Sequence, residues 1–143
     1  MSRARSARSR RKDLGRVLVV EDDPILATAI QAALEDAGAS KVVVCPSIAS
    51  TMDALEQGAP DAIVLDVHLA DRDDGWAVAE LVDLLGPKRP RIVFSTGTPE
   101  DIPPEVAEMG PIFAKPYDPA QLVHALATDV RPGLIARIRD AIS

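Results

Sequence analysis

Short apolar runs alternate with amphipathic stretches along most of this chain. Val17-Leu18-Val19-Val20 is an unbroken apolar run of strand length. Asp23-Pro24 follows, an N-cap residue with a proline at the first helical position. Ile25, Leu26, Ile30, Ala33 and Leu34 then recur on one helical face, and Gly38 stops the helix. Lys41 to Cys45 reads as a second strand. Ser47 caps a second helix that reaches about Gln57, ended by Gly58 and Pro60. Asp61 to Leu65 is the third strand. A loop rich in Asp and Gly, Ala70 to Gly75, leads to a third helix from Trp76 to Leu85, which Gly86-Pro87 ends. Arg91 to Ser95 is the fourth strand and Ile112-Phe113-Ala114 a short fifth. Between them, Gly97, Pro99, Pro103, Pro104 and Gly110 leave room only for a helix of about Glu105 to Met109, or none. Asp118-Pro119 repeats the helix-start signal, and that helix runs to about Asp129. After Pro132-Gly133 a last amphipathic piece places Leu134, Ile135 and Ile138 on one side.

Strands alternating with helices at this spacing predict an α/β domain, a parallel sheet with helices on both faces. Right-handed crossovers put every strand C-terminus on one edge, and ligand chemistry belongs in the crevice there. The 143 residues suit one domain. Hydrophobic residues make up 47 % and aromatics only 3 %, so Ala, Val, Leu and Ile must do the packing. Cys45 alone excludes an internal disulfide and reads as a small core residue. No apolar run approaches the ~18 residues of a membrane span.

Charge divides the chain unevenly. Seven basic residues face Asp13 alone over residues 1–16, a net +6 that leaves −12 on the remainder of a chain of net −6. The basic stretch has no apolar core, so it is not a secretory signal, and a cytoplasmic protein is expected. We divide the chain into a basic tail at residues 1–15, a domain at 16–130 and a short helical extension at 131–143. The tail reads first as a disordered leader or an upstream start without a role. A nucleic-acid or membrane-surface arm is the sharper alternative.

Four strand ends carry the candidate chemistry. Glu21-Asp22-Asp23 follows the first strand, Asp66 closes the third, Thr96 the fourth, and Lys115 follows the fifth. Carboxylates gathered at one edge repel unless a cation sits between them. Oxygen ligands suit a hard ion such as Mg2+, which keeps waters and takes a phosphoryl oxygen. Asp66 beside such an ion is a plausible nucleophile toward phosphorus. The phosphoryl oxygens could then be shared among Mg2+, the Lys115 ammonium and the Thr96 hydroxyl.

The order and spacing of these stretches resemble the response-regulator receiver family. The matching segments are Val17 to Pro24, Pro60 to Leu69, Ile92 to Gly97 and Phe113 to Tyr117, within roughly residues 16–130. The resemblance implies a CheY-like (flavodoxin-like) three-layer α/β/α fold, with a five-stranded parallel sheet in the order 2-1-3-4-5 and a fourth helix short or disordered. It implies that Asp66 is the phosphoacceptor. Asp22, Asp66 and the backbone carbonyl of His68 are the implied Mg2+ ligands, with Glu21 acting through water. Thr96 is the implied switch hydroxyl, Lys115 the phosphate-binding lysine, and Lys115-Pro116 a cis bond. Ile112 and Phe113 mark the conformational switch region.

Three features depart from that pattern. The loop from Asp66 to Asp74-Gly75 is one residue longer than in common members of the family. Ile112 stands where an aromatic switch residue is usual, although Phe113 is adjacent. The stretch from Thr96 to Lys115 is short and proline-broken, and with Phe94-Ser95-Thr96-Gly97 it is similar to stand-alone receivers with a Phe-Ala-Thr-Gly motif.

The expected function is a single-domain response regulator that takes phosphate from a histidine kinase or phosphotransfer protein and signals through an unidentified protein target. It would catalyse only its own phosphorylation and dephosphorylation. A phosphate shuttle or sink is an alternative. A phosphatase with Asp66 as nucleophile would have to use His68 as its acid. A nucleic-acid binder could act only through residues 3–16. His68 is expected to face solvent near the site, His124 to lie on the surface, Trp76 to pack the third helix, and Asp71, Asp73 and Asp74 to form a solvated turn.

Overall fold

The computed structural model describes residues 14–66, 68 and 90–128. The elements are β1 (Arg16–Val20), α1 (Pro24–Asp36), β2 (Lys41–Cys45), α2 (Ile48–Gln57), β3 (Ala62–Asp66), β4 (Arg91–Thr96), a 3-10 turn (Pro99–Asp101), α3 (Pro104–Ala107), β5 (Ile112–Ala114) and α4 (Pro119–Ala127). The five strands form one all-parallel sheet in the order β2-β1-β3-β4-β5. The expected loop at 70–75, the helix at 76–85 with Trp76, and the piece after Pro132 lie outside the described residues.

Strand alternation sends side chains to two faces. Leu18, Val20, Ile63, Leu65 and Phe94 pack on one face with Ile48 and Ala54 of α2. Val17, Val19, Val64 and Val93 pack on the other with Ile30 and Leu34 of α1 and Leu122 and Leu126 of α4. A sheet covered on both sides explains why its strands are apolar throughout rather than alternating. Cys45 is buried in this core, and desolvation pushes its thiol up, away from reactivity.

Caps fix the helix starts where the sequence places them. Asp23 accepts from Ile25 N at 2.9 Å, Asp118 from Ala120 N at 3.0 Å, and Ser47 and Ser50 form a reciprocal capping box. At the opposite edge, strand-start arginines close two helix C-termini. Arg16 donates to Gly58 O at 2.7 Å and Ala54 O at 3.2 Å, and Arg91 donates to Leu126 O.

Two boundaries differ from the sequence reading. Leu14 is fully buried, so packing begins before residue 16. Gly15 makes the entry turn at φ 65°, where a Cβ would strike the Asp61 carboxylate. The helix between β4 and β5 is present but only four residues long, and it starts at Pro104, which suits a first helical turn. Ile102 and Val106 anchor this segment in the core. Gly110 then lets the chain approach β4, since a Cβ there would lie 1.8 Å from Ile92 O.

Phe94 is fully buried, whereas Ile25 is 82 % exposed. Phe94→Ala is therefore expected to lower the unfolding free energy by about 3–5 kcal/mol. Ile25→Ala should change it by less than about 0.5 kcal/mol. Urea denaturation of the two variants checks this, and similar losses in both would contradict the core assignment.

Candidate functional site

Topology brings the strand ends together. β1 and β3 are neighbours, with Val20 opposite Leu65, so Glu21 and Asp66 emerge side by side at the C-terminal edge. This is the point where strand order reverses, between β1 and β3. β4 lies beside β3 and ends in Thr96, and β5 lies beside β4 and leads into Lys115.

Glu21 and Asp66 are only 1 % and 3 % exposed. The Lys115 ammonium sits between them, 2.9 Å from Glu21 Oε1 and 3.1 Å from Asp66 Oδ2. Asp22 is exposed, and carboxylate oxygens of Glu21, Asp22 and Asp66 lie within 4.8 Å of one another. Asp23, third in the acidic run, is spent on the cap of α1, and its N–H donates to Glu21 Oε2 at 3.1 Å.

Three carboxylates against one ammonium leave the cluster net negative. Glu21 Oε1 has the Lys115 charge nearby but no aligned hydrogen bond. A buried carboxylate oxygen without a donor, two further carboxylates and an open side at Asp22 fit a hard divalent cation such as Mg2+. Burial pushes the Glu21 carboxyl up to about 7, against the opposing pull of Lys115 and the Asp23 N–H. Desolvation works against the Lys115 ammonium, yet the close contact with Glu21 and the charges of Asp66 and Glu21 carry its value above the usual lysine range.

Asp66 Oδ1 accepts the backbone N–H of His68 at 2.9 Å. Thr96 is fully buried, and its hydroxyl accepts the Thr98 N–H at 3.0 Å. The Lys115-Pro116 bond is cis. Ile112 is 37 % exposed, while Phe113 packs into the α1/α4 side of the core. His124 is exposed.

Two contacts had no signal in the sequence. The Thr98 hydroxyl bonds His68 Nε2 at 2.7 Å, and Asp101 stands 3.7 Å from the same nitrogen. The His68 ring is thus half-buried and partnered, rather than simply facing solvent. The Tyr117 hydroxyl bonds Ser95 Oγ at 2.6 Å, and its ring meets Phe113 at 5.8 Å between centroids. Ser95 is the β4 residue opposite both Asp66 and Phe113. An aromatic side chain therefore reaches the strand beside Asp66 from position 117, where position 112 offers only isoleucine.

Glu21 fixes the sign of a pH dependence. The unfolded chain keeps the ordinary carboxyl value of 4.5, and the folded value is about 7. The folded state thus holds a proton that the unfolded chain has released, a contribution fully present below 4.5 and lost as pH rises through about 7. In metal-free buffer Glu21 is expected to lower the thermal midpoint progressively as pH rises from about 4.5 to about 7, and Glu21→Gln to flatten that slope. An unchanged slope in Glu21→Gln contradicts the assignment.

A family model for the response regulator receiver domain matches residues 17–127. The phyllosphere-induced regulator PhyR of Methylorubrum extorquens is 28 % identical over 127 residues, 87 % of this chain and 47 % of that protein. The chain thus spans about half the length of that curated relative. A CheY-like receiver domain structure from Methylobacillus flagellatus is 27 % identical with a TM-score of 0.65, covering 77 % of this chain and 93 % of its own. The structure of a mutant anti-anti-sigma factor PhyR from Bartonella quintana shares the fold, at 24 % identity and a TM-score of 0.66, over 97 % of this chain and 55 % of that one. No described helix is long and apolar enough to cross a membrane. With the family model matching most of its length and the sheet order to accommodate it, this chain belongs to the response regulator receiver domain family.

Proposed function

We propose that Asp66 accepts a phosphoryl group from the phosphohistidine of a sensor kinase or phosphotransfer protein, and that the phosphorylated chain signals through protein contacts. The observation that carries this reading is the buried Asp66 carboxylate held 3.1 Å from an ammonium and beside two further carboxylates. Asp22, Asp66 and the His68 carbonyl would hold Mg2+, with Glu21 acting through water. Bound Mg2+ would neutralise charge on the phosphoryl oxygens.

The residues of the chain have separate tasks in this scheme. An Asp66 oxygen attacks phosphorus as the P–N bond of the donor breaks and the imidazole leaves. Lys115 exchanges part of its bond to Asp66 for a phosphoryl oxygen. The Thr96 hydroxyl keeps its lone pair on the Thr98 N–H and still has its own proton to donate to a phosphoryl oxygen. Movement of Thr96 would then pull on Thr98 and, through it, on His68 and the turn at Pro99–Asp101. Tyr117, bonded to Ser95, gives a second route from Lys115 toward Phe113 and α4.

A protein partner fits the output. The Bartonella relative is named an anti-anti-sigma factor. An anti-sigma factor is therefore one partner class to test, although this chain covers only about half of that protein.

Incubation with Mg2+ and phosphoramidate followed by intact mass measurement tests the reading. We expect a gain of one phosphoryl group that is labile to hydroxylamine, absent in Asp66→Asn and lost when Mg2+ is chelated. Lys115→Ala should slow its formation by about 10²-fold, the scale of removing one charge-stabilising donor. A phosphoryl group retained in Asp66→Asn would contradict the assignment.

A further inference from the structure

A groove of about 360 Å³ runs between α1 and α4, and none of Glu21, Asp22, Asp66, Thr96 or Lys115 lines it. Ala33, Asp36 and Ala37 line it on one side and Ala120, Val123, His124 and Ala127 on the other. The α4 residues recur at helical spacing on one face of the helix, with Val123 buried at the groove's floor. Alanines on both walls, Ala33 and Ala37 facing Ala120 and Ala127, leave room for a third helix beside His124.

The chain itself carries a matching element. Leu134, Ile135, Ile138, Ala141 and Ile142 fall on one face at 3.6-residue periodicity, an arc of about 120°. Arg137 and Arg139 flank that stripe on its two sides, and Asp36 edges the groove on the α1 side. Residues 129–133 separate this segment from the last described residue of the α4 end. Five residues span at most roughly 17 Å, enough to turn back on α4, and Pro132-Gly133 supplies the turn chemistry.

We propose that the groove between α1 and α4 is the docking site of the chain's own residues 134–142, packed antiparallel to α4 as a helix. The nine residues of that segment match the nine of α4, so the pairing covers the whole row from Ala127 to Ala120. Arg137 or Arg139 then lies over Asp36. A tether of five residues gives the segment a millimolar effective concentration at the groove, which favours it over the same segment of a second copy.

Methyl and amide NMR of the full chain tests this. We expect contacts from the Ile138 methyls to Val123 and Ala127. They should persist on dilution, be absent between labelled and unlabelled copies in a mixed sample, and occur in a species that sediments as a monomer. Ile138→Asp should shift the amide signals of Ala33, Ala37, Val123 and Ala127 and leave those of Glu21, Asp66 and Lys115 in place. Ala120→Glu adds an acid to the first turn of α4, which the helix tolerates well, and should release residues 134–142 into fast motion. Contacts between copies with a dimer mass would assign the groove to a second molecule and overturn the proposal. Unshifted groove signals in Ile138→Asp would overturn it as well.

Discussion

Two carboxylates buried beside a single ammonium are the constraint around which this molecule is arranged. Glu21 and Asp66 are almost wholly withdrawn from water, and Lys115 touches both. Charges so placed are costly unless they are paired, and here the pairing is incomplete. A negative surplus remains, with one oxygen of Glu21 lacking an aligned donor. That surplus is what a hard cation and a phosphoryl group, joined, would use. It also explains why the site sits on rigid strand ends, since loops alone could not hold like charges this close.

The fold serves that arrangement in layers. Parallel pairing of β1, β3, β4 and β5 delivers one candidate site residue from each strand end to the same edge. Arg16 and Arg91 close the C-termini of α2 and α4 at the far edge, so the helices are fixed away from the chemistry. On the site side, Asp23 is used as the cap of α1, which separates it in role from its two acidic neighbours. Ile102 and Val106 hold the proline-broken segment to the core, so the turn carrying Thr98 and Asp101 has a fixed base.

Much of this was legible in the sequence because strong local signals agreed with the tertiary outcome. Apolar runs gave the strands within a residue or two, and Asp23-Pro24, Ser47 and Asp118-Pro119 gave the helix starts. Glu21, Asp66, Thr96 and Lys115 could be grouped because a parallel sheet aligns strand ends. What escaped were contacts made by polar side chains far apart in the chain. His68 and Thr98 are 30 residues apart, and Ser95 and Tyr117 are 22 apart. Neither pair has a periodicity to betray it. The absence of an aromatic at Ile112 was readable, but the aromatic that reaches β4 from position 117 needed the geometry of the turn after β5. The start of packing at Leu14 was hidden in the same way, inside a stretch whose composition is basic.

The central claim is that Asp66, Glu21, Asp22, Thr96 and Lys115 act as one site for a cation and a phosphoryl group. The most direct measurement is a 15N amide NMR titration with Mg2+ followed by beryllofluoride, a phosphoryl mimic. The account predicts shifts concentrated at residues 21–23, 66, 68, 96–98 and 115, and no beryllofluoride response in Asp66→Asn. An unresponsive spectrum, or the same response with Asp66 replaced, would contradict it.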